Sequence, residues 1–254
     1  QMQSKLEEAI EAYNKALAIK PNNAGAYYNM GIAFQKQSKL KEAIEAYTKA
    51  LAIKPDYAEA YNNMGNAFKS QGKLGEAMEA YTKALSIKPD NAEFYNDMGN
   101  ALQMHSKLEE AIEAYTKALS IKPDYADAYN NMGVILKDQG NLEEAMEAYT
   151  KALSIKPDYA EAYNNMGNAL RDQGKLEEAI EAYNKALAIK PDYEAARVGN
   201  MYLSAQICNW DSMAKDVNLI SELGTSEKHV PPFALLTLED APDRHLIRSE
   251  IYAK

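Results

Sequence analysis

Cys208 and Trp210 are the only cysteine and the only tryptophan among 254 residues, and they stand two positions apart in the stretch ICNWDSM. A reactive thiol needs a neighbouring base or cation to depress its pKa, and a metal site needs further ligands at fixed spacing. Cys208 has neither: no second cysteine exists, and His105, His229 and His245 are isolated from it in sequence. The residues read as packing or simple exposure for Cys208, a packing anchor for Trp210 and solvated side chains for the three histidines. Glu143, Glu144 and Glu147 fall early in an amphipathic segment with lysines following, which suits a solvated outer face rather than an acid/base pair. No phosphate-cradling glycine loop, nucleophile elbow or metal motif occurs. The chain is therefore expected to be no enzyme and to carry no cofactor and no metal.

What remains is a chemistry of recognition, and the elements that would present it follow from composition and period. Ala, Tyr, Glu and Lys dominate while Val, Ile and Phe are scarce, which favours helices over a sheet core. A formal net charge of −9, with lysines interspersed among more numerous carboxylates, argues against nucleic acid as a partner. One cysteine cannot form an internal disulfide, so the fold does not depend on redox compartment. No apolar run reaches membrane-spanning length and no basic leader precedes one, so no membrane partner and a cytoplasmic location are expected.

Written in rows of 34 residues, the chain aligns at nearly every column: 24–57, 58–91, 92–125, 126–159 and 160–193. Each row predicts two helices and two short connections. Gly31, Gly65, Gly99, Gly133 and Gly167 lack a side chain where the first helix meets the second, and Ala43, Ala77, Ala111, Ala145 and Ala179 are expected to face them. Tyrosines on both helices supply area that one helix pair cannot bury, so each unit needs a neighbour. Pro55, Pro89, Pro123, Pro157 and Pro191 end the second helices, and the Asp or Asn that follows is expected to cap the next helix. Residues 1–23 match the second half of a unit without a first helix, which leaves an apolar face to associate with another copy.

The period and the glycine, alanine, tyrosine and proline columns resemble the tetratricopeptide repeat, over about two thirds of the chain. The resemblance implies an all-α fold, a right-handed superhelical α-solenoid of tandem helix-turn-helix units whose first helices line a concave groove. It assigns positions 2, 5, 6, 9, 12 and 13 of each unit to that groove. Position 6 holds Asn29, Asn63, Asp97, Asn131 and Asn165; position 5 adds Asn62, Asn96, Asn130 and Asn164, with Tyr28 in the first row. Position 9 adds Asn66, Asn100 and Asn168, with Ile32 and Val134 as exceptions, and position 12 adds Lys69, Lys137 and Arg171. Asparagine is a mediocre helix former, so these columns run against local propensity. Two explanations stand side by side. A primary amide donates and accepts, which suits the repeating backbone of an extended peptide; alternatively the asparagines are solvated surface copied with the repeats. The acidic residues at position 2 (Glu59, Glu93, Asp127 and Glu161) speak against the lysine-lined mode that grips a carboxylate tail.

From Glu194 the register continues while identities drift, which predicts a sixth, divergent unit over 194–224 and a loop and helix over 225–254. In that count Trp210 takes the column of Leu74 and Leu142, Cys208 lies in the loop before it, and Asp211 or Ser212 caps the second helix. The stretch AQICNWDSM followed by VPPFALLTLEDAPDRHLIRSEIYAK is similar to the junction of O-GlcNAc transferases and their bacterial relatives, where a repeat array meets the glycosyltransferase domain. Phe233 and Ala234 stand where the animal enzymes are rich in histidine. This resemblance implies a substrate-recruiting arm whose catalytic lobes lie beyond Lys254. The competing expectation is a self-associating scaffold of stacked units.

Overall fold

The computed structural model describes residues 2–207, and among them there are twelve α-helices and no strand. In order these are α1 (Met2–Ile19), α2 (Ala24–Lys36), α3 (Leu40–Ile53), α4 (Ala58–Ser70), α5 (Leu74–Ile87), α6 (Ala92–Met104), α7 (Leu108–Ile121), α8 (Ala126–Asp138), α9 (Leu142–Ile155), α10 (Ala160–Asp172), α11 (Leu176–Ile189) and α12 (Glu194–Gln206). Cys208, Trp210, Asp211, Ser212, His229, Phe233, Ala234 and His245 lie outside the described residues. The chain divides into two units, Gln1–Ala128 and Tyr129–Lys254.

Short connections force consecutive helices to pack as antiparallel neighbours. In the first unit α2 lies on α3, α4 on α5 and α6 on α7, and each pair rests on the next through α3 with α4 and α5 with α6. The second unit repeats this with α9 against α10, α10 against α11 and α11 against α12. Its core shows how the layers interlock: Ala179, Tyr183 and Ala186 of α11 pack with Leu170 of α10 and with Ala196 and Leu203 of α12. No single central core exists in such an array, because each helix pair completes the burial of its neighbour.

The largest buried side chains are one tyrosine per second helix: Tyr47, Tyr81, Tyr115, Tyr149 and Tyr183, all at 0% exposure. Each ring lies against the glycine of its own first helix. A Cβ added at Gly65 would stand 2.7 Å from Cε1 of Tyr81, and one added at Gly133 would stand 2.7 Å from Cε1 of Tyr149. The expectation placed alanines opposite the glycines, and the atoms nearest to the vacant Cβ position are those of the tyrosine ring. The alanines are buried, but the missing side chain makes room for a ring rather than for a methyl group.

Helix ends are decided one by one. The first helices end in paired backbone bonds of the Schellman kind, as where Gly72 N–H donates to Lys69 O at 2.9 Å and Lys73 N–H donates to Phe68 O at 3.0 Å. The residue that turns the chain there has positive φ, +72° at Gly72, but the same column holds Ser38 at 59° and Ser106 at 58°. At the start of the first helices, Asn91 Oδ1 accepts from Glu93 N–H at 2.9 Å and Phe94 N–H at 3.1 Å, and Asn23 Oδ1 accepts from Ala26 N–H at 3.1 Å. Where the row ends in Tyr the expected cap fails: Tyr57, Tyr159 and Tyr193 occupy the N-cap without a side-chain bond. The Asp before them is one residue too early to reach the helix. The tyrosines instead receive a lysine over the ring, Lys54 Nζ at 4.5 Å from Tyr57 and Lys156 Nζ at 4.1 Å from Tyr159.

Candidate peptide-binding face

The asparagine columns sit on the first helices, and their burial separates them into layers. Position 5 is interior: Asn62, Asn96, Asn130 and Asn164 are only 5–6% exposed. They were expected to line the groove, and at that exposure they present little surface to it. Position 6 is outermost, with Asn29 exposed and Asn63, Asp97, Asn131 and Asn165 half-buried; Asn66, Asn100 and Asn168 at position 9 and Lys69, Lys137 and Arg171 at position 12 are half-buried too.

Hydrogen bonds tie position 5 of one row to position 6 of the next, a separation of one repeat plus one residue. In the first unit Asn63 Nδ2 donates to the Tyr28 hydroxyl at 3.0 Å, and Asn62 Nδ2 donates to Asp97 Oδ2 at 2.7 Å. In the second unit Asn165 Nδ2 donates to Asn130 Oδ1 at 3.0 Å. Position 9 has a different partner, the phenol of the buried tyrosine within its own row. Tyr81 donates to Asn66 Oδ1, Tyr115 to Asn100 Oδ1 and Tyr183 to Asn168 Oδ1, each at 2.8 Å. Val134 replaces asparagine at this position, and the Tyr149 hydroxyl is left buried with no partner. In the first row, which has Ile32, Tyr47 donates to Gln35 Oε1 at 2.9 Å instead. An asparagine in a helix is locally unfavourable, yet leaving a buried hydroxyl unpaired costs about 1–3 kcal/mol. The propensity conflict thus has a cause inside the fold, one that the sequence reading lacked: hydroxyl and amide pairing depend on which residues the packing brings opposite each other.

Charge on this face is mostly spoken for. Glu59 pairs with Lys88, which holds its carboxyl below the usual carboxylate range, and Glu161 pairs with Lys190 at 3.5 Å. Lys137 and Arg171 each reach the next residue, Asp138 and Asp172, at 2.9 Å. Asp97 Oδ2 takes a second amide, Asn66 Nδ2 at 2.8 Å. The side chains of Asn29 and Lys69 have no hydrogen bond or ion pair among the described residues. Burial is the main cause that pushes the Tyr125 phenol up to about 12, with Asp97, Glu93 and Asp127 adding to it. His105 closes α6 as its C-cap, through its backbone N–H to Leu102 O at 3.1 Å. Among the described residues no His, Cys, Asp and Glu side chains group to hold a metal ion, and no helix is long and apolar enough to cross a membrane.

Family models of the tetratricopeptide repeat match residues 3–38, 36–72, 65–106 and 105–140, and a second such model matches 124–192. Among solved structures the chain is similar to MamA, at 31% identity and a TM-score of 0.56, covering 64% of this chain and 95% of that one. It is also similar to YrrB, described as a TPR protein with an unusual peptide-binding site, at 26% identity and a TM-score of 0.55, covering 74% and 96%. Likeness to PilF of Pseudomonas aeruginosa, at 20% identity and a TM-score of 0.69 over 86% and 93%, is a likeness of fold alone. Curated protein sequences include no match.

Proposed function

The chain belongs to the tetratricopeptide-repeat family, and from that premise we propose that it is a non-catalytic binding module that takes an extended polypeptide along its first-helix face. The observation that carries this is the outer layer of exposed and half-buried polar side chains above an inner layer of buried amides, among them Asn62 and Asn130, which bond to the outer layer of the next row. In the first unit that layer is Asn29, Asn63, Asn66, Lys69, Asp97 and Asn100; in the second it is Asn131, Lys137, Asn165, Asn168 and Arg171. An amide already fixed by one internal bond keeps a further donor or acceptor for a peptide backbone, and it is held in place before the ligand arrives. The peptide-binding site that gives YrrB its description supports the same use here. The stretch AQICNWDSM, with Cys208, Trp210 and Asp211, supports a finer reading: the substrate-recruiting arm of an O-GlcNAc-transferase-like protein.

The test uses residues without an internal partner, so that loss of binding is not loss of fold. Asn29→Ala with Lys69→Ala is expected to weaken calorimetric binding of a reduced, carboxymethylated polypeptide by about 1 kcal/mol per contact, with helicity unchanged. Unaltered affinity would remove this face as the site. The chain alone should transfer no sugar from UDP-GlcNAc to peptide; measured transfer would contradict the non-catalytic reading.

One observation favours a second reading, a self-associating scaffold. Ala43, Tyr47 and Ala50 of α3 are at 0% exposure, whereas their counterparts in α1, Ala9, Tyr13 and Ala16, are only half-buried and Ile19 is 87% exposed. Another copy could cover that face. Light scattering that rises with concentration, and falls with Tyr13→Ser, would support it; a concentration-independent mass would not.

A further inference from the structure

The face opposite the asparagines carries a second opening. A cavity of about 720 Å³ lies among α3, α4 and α5, floored by Tyr61, Met64, Phe68 and Met78 and rimmed by Glu76, Glu79 and Lys83. Tyr61, Met64 and Phe68 are positions 4, 7 and 11 of their row. At about 100° per residue these point roughly half a turn away from positions 6, 9 and 12, so this cavity and the amide face are separate surfaces of α4.

Its sister units show what chemistry it accepts. In three of them the lysine at the column of Lys83 reaches over the tyrosine at the column of Tyr61: Lys49 Nζ is 5.8 Å from the Tyr27 ring, Lys151 Nζ 5.6 Å from Tyr129 and Lys185 Nζ 5.8 Å from Tyr163. Within α4 and α5 that contact is absent, and no cation stands over the Tyr61 ring among the described residues. Lys73 Nζ approaches the neighbouring Phe68 ring, 6.0 Å away. Glu76 and Glu79 are exposed and make no hydrogen bond or ion pair among the described residues, so the rim carries two unpaired carboxylates against Lys83. The matching recess on α6 and α7, whose columns hold Leu102 for Phe68 and Ile112 for Met78, is about 230 Å³.

We propose that this cavity is a second docking site, for a protein segment that places an apolar side chain on Met64, Phe68 and Met78 and a Lys or Arg over Tyr61 between Glu76 and Glu79. The incoming cation takes the place that a lysine of the chain itself fills in three sister units. Aromatic faces attract cations electrostatically, and the two carboxylates add charge complementarity that a second copy of this chain, at net −9, does not offer overall. The site stands independently of the first-helix face.

A fluorescein-labelled helical peptide with Leu and Arg one turn apart in an Ala/Gln background is the probe, read by anisotropy on the full chain. Glu76→Gln with Glu79→Gln, and separately Phe68→Leu with Met78→Ile, which install the residues of the sister columns, should each weaken binding about tenfold. Exchanging the peptide's Arg for Glu, or its Leu for Ser, should do the same, while Asn29→Ala with Lys69→Ala leaves affinity unchanged. Circular dichroism confirms that each variant is folded. No binding of the probe, or equal binding of the Arg-to-Glu peptide, overturns the proposal. Loss confined to the Asn29 and Lys69 variant also overturns it and leaves the first-helix site standing; a first-helix failure with the cavity effects intact does the reverse.

Discussion

Two neighbouring positions show how much a single atom decides. The Gly65 Cα has Tyr81 where a methyl group would go, so Gly65→Ala must push a fully buried ring and is expected to cost about 1–3 kcal/mol in a urea denaturation. The Tyr149 hydroxyl is buried without a partner, whereas that of Tyr81 donates to Asn66. Tyr149→Phe should therefore be neutral or stabilising, and Tyr81→Phe should destabilise by about 1 kcal/mol, because it leaves Asn66 Oδ1 without its donor while Asn66 Nδ2 stays on Asp97. Val134→Asn supplies the missing acceptor; if it leaves the cost of a subsequent Tyr149→Phe unchanged, the pairing argument fails. These residues were legible as columns in the sequence, but the partner of each was not. Gly and Ala were matched by size, and only the packing shows how closely the buried tyrosine ring approaches the glycine.

Among the helices, ends vary more than middles. Second helices such as LEEAIEAYTKALSI repeat with good helix formers and stop before Pro, so their extent was plain from the sequence. The turn after the first helix needs positive φ, and glycine meets that need at Gly72, Gly140 and Gly174 while serine is strained at Ser38 and Ser106. Ser38→Gly and Ser106→Gly are each expected to stabilise by about 0.5–1 kcal/mol, raising the thermal midpoint; a lowered midpoint would mean the serine side chain does more than turn the chain. Capping gives the complementary case. Asn91→Ala should cost about 1 kcal/mol, whereas Asp56→Ala should change little, since Tyr57 rather than Asp56 holds the N-cap.

Across the whole molecule the buried phenols set the alkaline limit. Burial is the main cause that raises Tyr183 to about 12 from an ordinary value near 10, with Arg171 opposing and Asp172 adding, and Tyr47, Tyr81, Tyr115 and Tyr149 are raised in the same direction by burial first. A group whose folded pKa lies above its unfolded one contributes stability that is complete below the unfolded value and is lost as pH climbs through the folded value. Stability from this source should hold up to about pH 10 and fall from there towards 12 and beyond, with tyrosinate absorbance appearing together with loss of helicity. Tyrosinate forming at pH 10 in the fully helical protein would show that these rings are not sealed.

The period, the helices and the all-α repeat class are readable from the residues alone, because a 34-residue recurrence of Gly, Ala, Tyr and Pro has one local solution per column. The same recurrence places the asparagines on the first helices. Their partners emerge only from packing: position 5 lies inside, position 9 takes phenols where it is asparagine, and position 6 stays outermost. The reason is that helical pattern fixes which side of a helix a residue faces, while hydrogen-bond partners are fixed by the register between helices. The amide that pairs with Asn165 is 35 residues back, and no single unit contains it.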